Sequence, residues 1–128
     1  MNNPLIVNSS PRSNSTSRRL TRHFAEEWKA THPDARVTER DLAVEALPLV
    51  TESWIKASYT PVTERTTEQQ QVLAFSDALI EELMVADVIV LGAPMHNFSI
   101  PAPLKAWLDL IVRARGRPLA TAIKVRRA

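Results

Sequence analysis

Four consecutive branched apolar residues, Val88-Ile89-Val90-Leu91, run without polar interruption into Gly92 and the loop Ala93-Pro94-Met95-His96-Asn97-Phe98. Such a run predicts a strand of a parallel sheet with helices over both faces, because neither side of it suits water. In open α/β sheets, ligands bind beyond the carboxyl ends of the strands, where the strand order reverses. The Ala93–Phe98 loop stands at that address and carries a thioether, an imidazole, an amide and a phenyl ring. It is the first candidate site.

The remaining segments fit around this strand. Leu5-Ile6-Val7 reads as a first, central strand, and Asn8 to Ser17 as a polar loop. A helix starts near Ser17, because Leu20, Phe24 and Trp28 recur every fourth residue and share one face. It ends at His32-Pro33, where proline restricts the residue before it. Arg36 to Leu42 reads as a more polar strand and therefore an edge. Thr51 to Ser58 forms a short helix with Trp54 and Ile55. Thr66-x-x-Gln69 is a capping box opening a longer helix, with Val72, Ser76, Leu79, Ile80 and Leu83 along one side. After the Met95–Phe98 loop, Pro101 or Pro103 sits in the first turn of a last helix, where its missing N–H costs nothing. Leu104, Trp107, Leu108, Ile111 and Val112 are the apolar stripe of that helix, and Trp28 and Trp107 are expected in the core. The order β-α-β-(α)-α-β-α opens a doubly wound α/β sheet of flavodoxin-like order 2-1-3-4-5, of which this chain supplies strands 2-1-3 with helices on both faces. The loops after strands one and three then meet at the switch point.

Composition narrows the function classes. With 128 residues there is room for one domain, and 45% apolar with 23% charged residues is ordinary for a globular protein. The absence of cysteine excludes disulfides and thiolate chemistry. Met1-Asn2-Asn3-Pro4 lacks the layout of a signal peptide and no apolar run approaches membrane-spanning length, so a cytoplasmic location and no membrane partner are expected. Residues 1–112 carry ten Lys/Arg against fourteen acids, a net −4, whereas residues 113–128 carry six basic residues and no acid. Binding to nucleic acid would have to rest on that tail alone, and no nucleic-acid partner is expected.

Two loops carry chemistry. Asn8 to Ser17 contains five serines and Thr16 but no glycine, so it is neither a Walker A loop nor a GxGxxG turn. Ser10, Ser15, Thr16 and Ser17 could hold a phosphate together with the free N–H groups and positive end of the following helix. The plainer reading is a solvated loop with one serine as N-cap. Met95, His96, Asn97 and Phe98 suit a planar heteroaromatic ligand, with apolar contact on its faces and hydrogen bonds at its edge. The plainer reading is a capping loop in which Asn97 makes a turn. His23, His32 and His96 do not make a metal site, and no GxSxG elbow supports a hydrolase.

The segments V-N-S-S…S-T-S-R-R-L, E-R-D-L-A and A-D-V-I-V-L-G-A-P-M-H-N-F-S-I-P-A-P-L-K-A-W-L-D-L-I-V-R-A-R resemble the FMN-dependent NADH-azoreductases, flavodoxin-like reductases of quinones and azo compounds. The resemblance runs from about Leu5 to Arg115. It implies that Ser10 and Ser15 to Ser17 bind the phosphate and ribityl end of FMN, and that Met95, His96, Asn97 and Phe98 line the isoalloxazine. It also implies a homodimer with the flavin at the subunit interface, ping-pong transfer from NADH, and no side chain acting as a nucleophile. Where this chain has His96, the family usually has tyrosine.

Residues 1–115 are thus expected to form part of an FMN-binding domain, and 116–128 an irregular basic tail. The Arg/Ala/Pro bias of that tail matches a frame-shifted reading of a GC-rich gene, which resequencing would check. Three strands alone are expected to leave strand three with an open apolar edge and to uncover the Leu104–Val112 stripe, and about half the crevice wall would be missing. Weak FMN retention follows. The rival expectations are an inactive truncated fragment, a basic-tailed binding module and, last, a hydrolase working without NADH.

Overall fold

The computed structural model describes residues 3–113. β1 (Pro4–Asn8) is buried along its whole length and is paired on both sides, as its apolar sequence requires. The sheet is parallel throughout, in the order β2-β1-β3, with β2 spanning Thr38–Asp41 and β3 Val88–Gly92. β2 has the sequence Thr-Glu-Arg-Asp and lies at an edge, where polar side chains keep their water. The register sets Asn8 opposite both Asp41 and Gly92, so all three strands end at one level.

Helices cover the two faces unequally. α1 (Thr16–Thr31) packs on β1 and β3. On the other face Leu5 and Val7 join one core with Trp54 of α2 (Glu52–Tyr59), with Leu73, Leu79, Ile80 and Leu83 of α3 (Thr67–Val85), and with α4 (Ala102–Ile111). A single 3₁₀ turn, Val62–Glu64, links α2 to α3. Helix starts follow the sequence closely. Thr51 caps α2, and at α3 Gln69 N–H donates to Thr66 Oγ1 (3.2 Å) while Thr66 N–H donates to Gln69 Oε1 (3.1 Å). That is the reciprocal box, in which two otherwise orphaned donors are satisfied at once.

Four expectations need correction. The Leu20–Phe24–Trp28 stripe is not the core face of α1. Leu20 is 64% exposed, Trp28 is half-buried, and the buried residue of the helix is Thr21. Instead Phe24, Trp28 and His32 stack on one another, with ring centroids 5.5 and 4.4 Å apart. On α3, Leu73 rather than Val72 enters the core. β3 is not covered on both faces, for Ile89 and Leu91 are 36% and 47% exposed on the edge strand. The α4 stripe, expected to be uncovered, is buried. Leu104, Trp107, Leu110 and Ile111 are all in the core, because α4 packs on α3 and its inner face turns through Leu110 rather than Val112. The expected irregular tail over 116–128 lies outside the described residues.

Candidate functional site

The carboxyl ends of β1 and β3 are tied together before the loops begin. Ser9 N–H and Ser9 Oγ–H both donate to Gly92 O, at 3.2 and 2.6 Å. Beneath this tie, Thr21 Oγ1 donates to Asn8 Oδ1 (2.8 Å) and Asn8 Nδ2 donates to Glu39 Oε1 (2.9 Å). One buried asparagine thus joins α1, β1 and β2.

The loop after β1 is wound by its own side chains. Ser10 and Ser15 are buried, and their hydroxyls accept from the N–H groups of Arg12 and Arg18, both at 3.2 Å. Ser15 is therefore the N-cap of α1, and Ser15 Oγ also lies 3.2 Å from Ser17 Oγ. The amides of Thr16 and Ser17 precede the first internal bond of the helix and sit at its positive end. No acid occupies the first turn. Arg18 folds back, donating Nε (3.1 Å) and Nη2 (2.6 Å) to Ser10 O and meeting both carboxylate oxygens of Asp41 at 2.7 Å. The guanidinium hydrogen bond holds the Asp41 carboxyl below the usual carboxylate range, and Asp41 in turn raises Arg18.

The loop after β3 closes on itself as a two-residue hairpin. His96 N–H donates to Ser99 O (2.7 Å) and Ser99 N–H to His96 O (2.9 Å). The two residues between them, Asn97 (φ 47°) and Phe98 (φ 67°), are both left-handed. Asparagine tolerates that region, but a bulky residue does so at a cost of about 1 kcal/mol or more. Phe98 is also 97% exposed, so no packing among the described residues repays the strain. Phe98→Gly is expected to raise the urea midpoint of unfolding by an amount equivalent to about 1 kcal/mol, since glycine is the residue this turn favours. An unchanged or lower midpoint would show that the turn is not strained.

The two loops face one cleft of about 520 Å³. Ser10, Ser15, Thr16 and Ser17 form one wall, and Met95 and His96 the other. Asn97 and Phe98 do not line it and stand at the hairpin tip above His96. The lining also includes Ala93 and Pro94 of the same candidate loop, and Arg12 and Leu20, which sequence reasoning did not assign to a site. Arg12 could have been found, since it is the cation inside the serine-rich loop. Leu20 was misassigned to the core by its period, although it follows Thr16 by one helical turn and so shares its end of the helix. Among the described residues no group of three acidic or histidine side chains could hold a metal ion, and no helix is long and apolar enough to cross a membrane.

The family described as having the flavodoxin-like fold matches residues 2–119. The chain belongs to that family. It is 50% identical over 111 residues to an FMN-dependent NADH:quinone oxidoreductase of Herminiimonas arsenicoxydans, covering 86% of this chain and 54% of that protein. With a protein of the same description from Acidobacterium capsulatum it is 51% identical over 116 residues, covering 91% of this chain and 56% of the relative. The chain thus spans about half the length of the curated relatives it matches. Among solved structures it superposes on an azoreductase of Bacillus anthracis strain Sterne with a TM-score of 0.79 and 30% identity, covering 89% of this chain and 57% of that one. An FMN-dependent NADH-azoreductase of the Ames Ancestor strain, solved in complex with FMN, gives a TM-score of 0.74 at 28% identity, over 89% of this chain and 57% of that one.

Proposed function

We propose that this flavodoxin-like chain holds FMN in the Ser10–His96 cleft and serves an oxidoreductase that moves electrons from NADH to quinones and aromatic azo compounds. The observation that carries the reading is the meeting of two unlike walls. One is a helix end with hydroxyls, free amides and Arg12; the other is a soft, exposed surface of Met95 and His96. The donor set suits a phosphate, whose charge is favoured by the helix end and by a nearby guanidinium. The thioether and imidazole suit a flat ring, and the cleft volume falls in the range of cofactor sites. The residues present therefore fit the group that the relatives' names specify.

When bound, FMN supplies the two-electron chemistry, in ping-pong fashion between NADH and the acceptor. The chain's own residues bind and orient. Ser10, Ser15, Thr16 and Ser17 hold the phosphate and the start of the ribityl chain, with Arg12 adding charge. Met95 and His96 would flank the ring, and Asn97 and Phe98, at the hairpin tip outside the cleft lining, would stand at its exposed edge. No side chain in the cleft has to give or take a proton for binding. The open side of the cleft, with Phe98 standing in solvent, is where a second subunit of a cytoplasmic homodimer would close over the ring.

Titrated with FMN, the purified chain is expected to saturate near one equivalent but to retain the flavin weakly, and the flavin absorbance bleaches on adding NADH and returns on adding a quinone. A colourless protein that titration with FMN leaves unchanged would overturn the reading.

A further inference from the structure

Arg18 occupies a position that its charge disfavours. It is the third residue of α1 after the N-cap, and a cation there opposes the positive helix end. It does not line the Ser10–His96 cleft, although it follows Ser17 directly. It lines a second hollow on the β2 side of α1, with Asn8, Thr21 and Glu39. Its side chain is only 12% exposed, and four hydrogen bonds fix it, two to Ser10 O and two to Asp41.

The carbonyl it holds has a particular character. Ser10 precedes Pro11, so this peptide unit has an acceptor and no N–H. Turned into the cleft, it could only repel an anion. Drawn to the guanidinium, it is held by a side chain that lines the hollow on the β2 side and not the cleft. Asp41 keeps the guanidinium there with both oxygens and is itself fixed by Ala43 N–H at 3.0 Å. Bidentate pairing of this kind sets geometry as well as energy.

We propose that Arg18 is a positioning residue for the anion end of the cleft: with Asp41 as its counter-charge, it pins the Ser10 carbonyl outward so that the hydroxyl and amide donors face a phosphate unopposed. The inference rests on the reading of the cleft as an FMN site, and it adds that the end strand β2, which does not reach the cleft, shapes the phosphate grip.

The test compares FMN with riboflavin, which lacks the phosphate, by fluorescence titration of the full chain. Arg18→Lys keeps the charge but not the five-donor fork, and Asp41→Asn removes the counter-charge. Both are expected to weaken FMN binding about tenfold, the scale of a lost charge-assisted hydrogen bond, and to leave riboflavin affinity unchanged. Equal losses for both flavins would show a general structural role and overturn the proposal, as would undiminished FMN affinity. Should the unsubstituted chain bind neither flavin, the cofactor reading itself fails. The clamp is then decided by amide hydrogen exchange in the same variants. Faster exchange at Arg12 and Ser15, whose N–H groups are bonded within the loop, upholds the pinning, and unchanged exchange overturns it.

Discussion

Gly92→Ala is expected to destabilise the protein by roughly 3 kcal/mol, read as a lower urea midpoint with an unchanged slope. A Cβ at Gly92 would lie 2.8 Å from Asn8 Oδ1, 3.0 Å from Thr21 Cγ2 and 3.6 Å from Val7 O. Neither near neighbour is a loose end. Asn8 Oδ1 accepts from Thr21 Oγ1 while the same amide donates to Glu39, so moving it breaks two bonds that join three elements. Val7 O, at 3.6 Å, is in ordinary van der Waals contact and adds no clash. The added methyl must therefore push β3 from β1 at the level of Ser9, where the two loops diverge. FMN uptake should fall with stability in this variant. A midpoint within error of the original would mean that the sheet can separate there without cost.

Trp107→Ala should be larger still, roughly 3–5 kcal/mol, the range for removing a buried aromatic side chain. Trp107 is 3% exposed and sits between Leu104 and Leu110 in the core shared with α3 and the inner face of β1. Against a total stability of about 5–15 kcal/mol, that loss leaves a chain with little margin. Lys105→Ala, on the outer side of the same helix, is the control and should shift the midpoint by less than about 0.5 kcal/mol. Equal effects from the two would mean that α4 is not docked as described.

What the sequence revealed, and what it withheld, follows from range. Leu5-Ile6-Val7 and Thr38-Glu39-Arg40-Asp41 announce a central and an edge strand because burial selects apolar side chains residue by residue. The Thr66–Gln69 box is legible because its two hydrogen bonds span one helical turn. Leu20, Phe24 and Trp28 misled because a period shows that residues share a face but not what that face meets. The exposure of Ile89 and Leu91 has the same origin: their side chains suit covering on both sides, and composition does not say what lies there. At the candidate site, the serine loop and the Met95–Phe98 loop were readable as separate features. The fork between Arg18 and Asp41 was not, since it joins residues 23 apart and depends on β2 ending level with β1, Asp41 opposite Asn8. The left-handed pair Asn97-Phe98 escaped notice because phenylalanine is a poor marker for such a turn.

The tie from Ser9 to Gly92 spans 83 residues of chain. Closing so wide a loop is slow and entropically costly compared with pairing β1 and β2, which are joined by a single helix. On the ribosome, the serine loop therefore emerges well before the third strand that supplies the opposite wall. The capacity to grip a ligand arrives late in the life of the nascent chain, and a polypeptide stalled before Gly92 has one wall of the cleft with nothing opposite it.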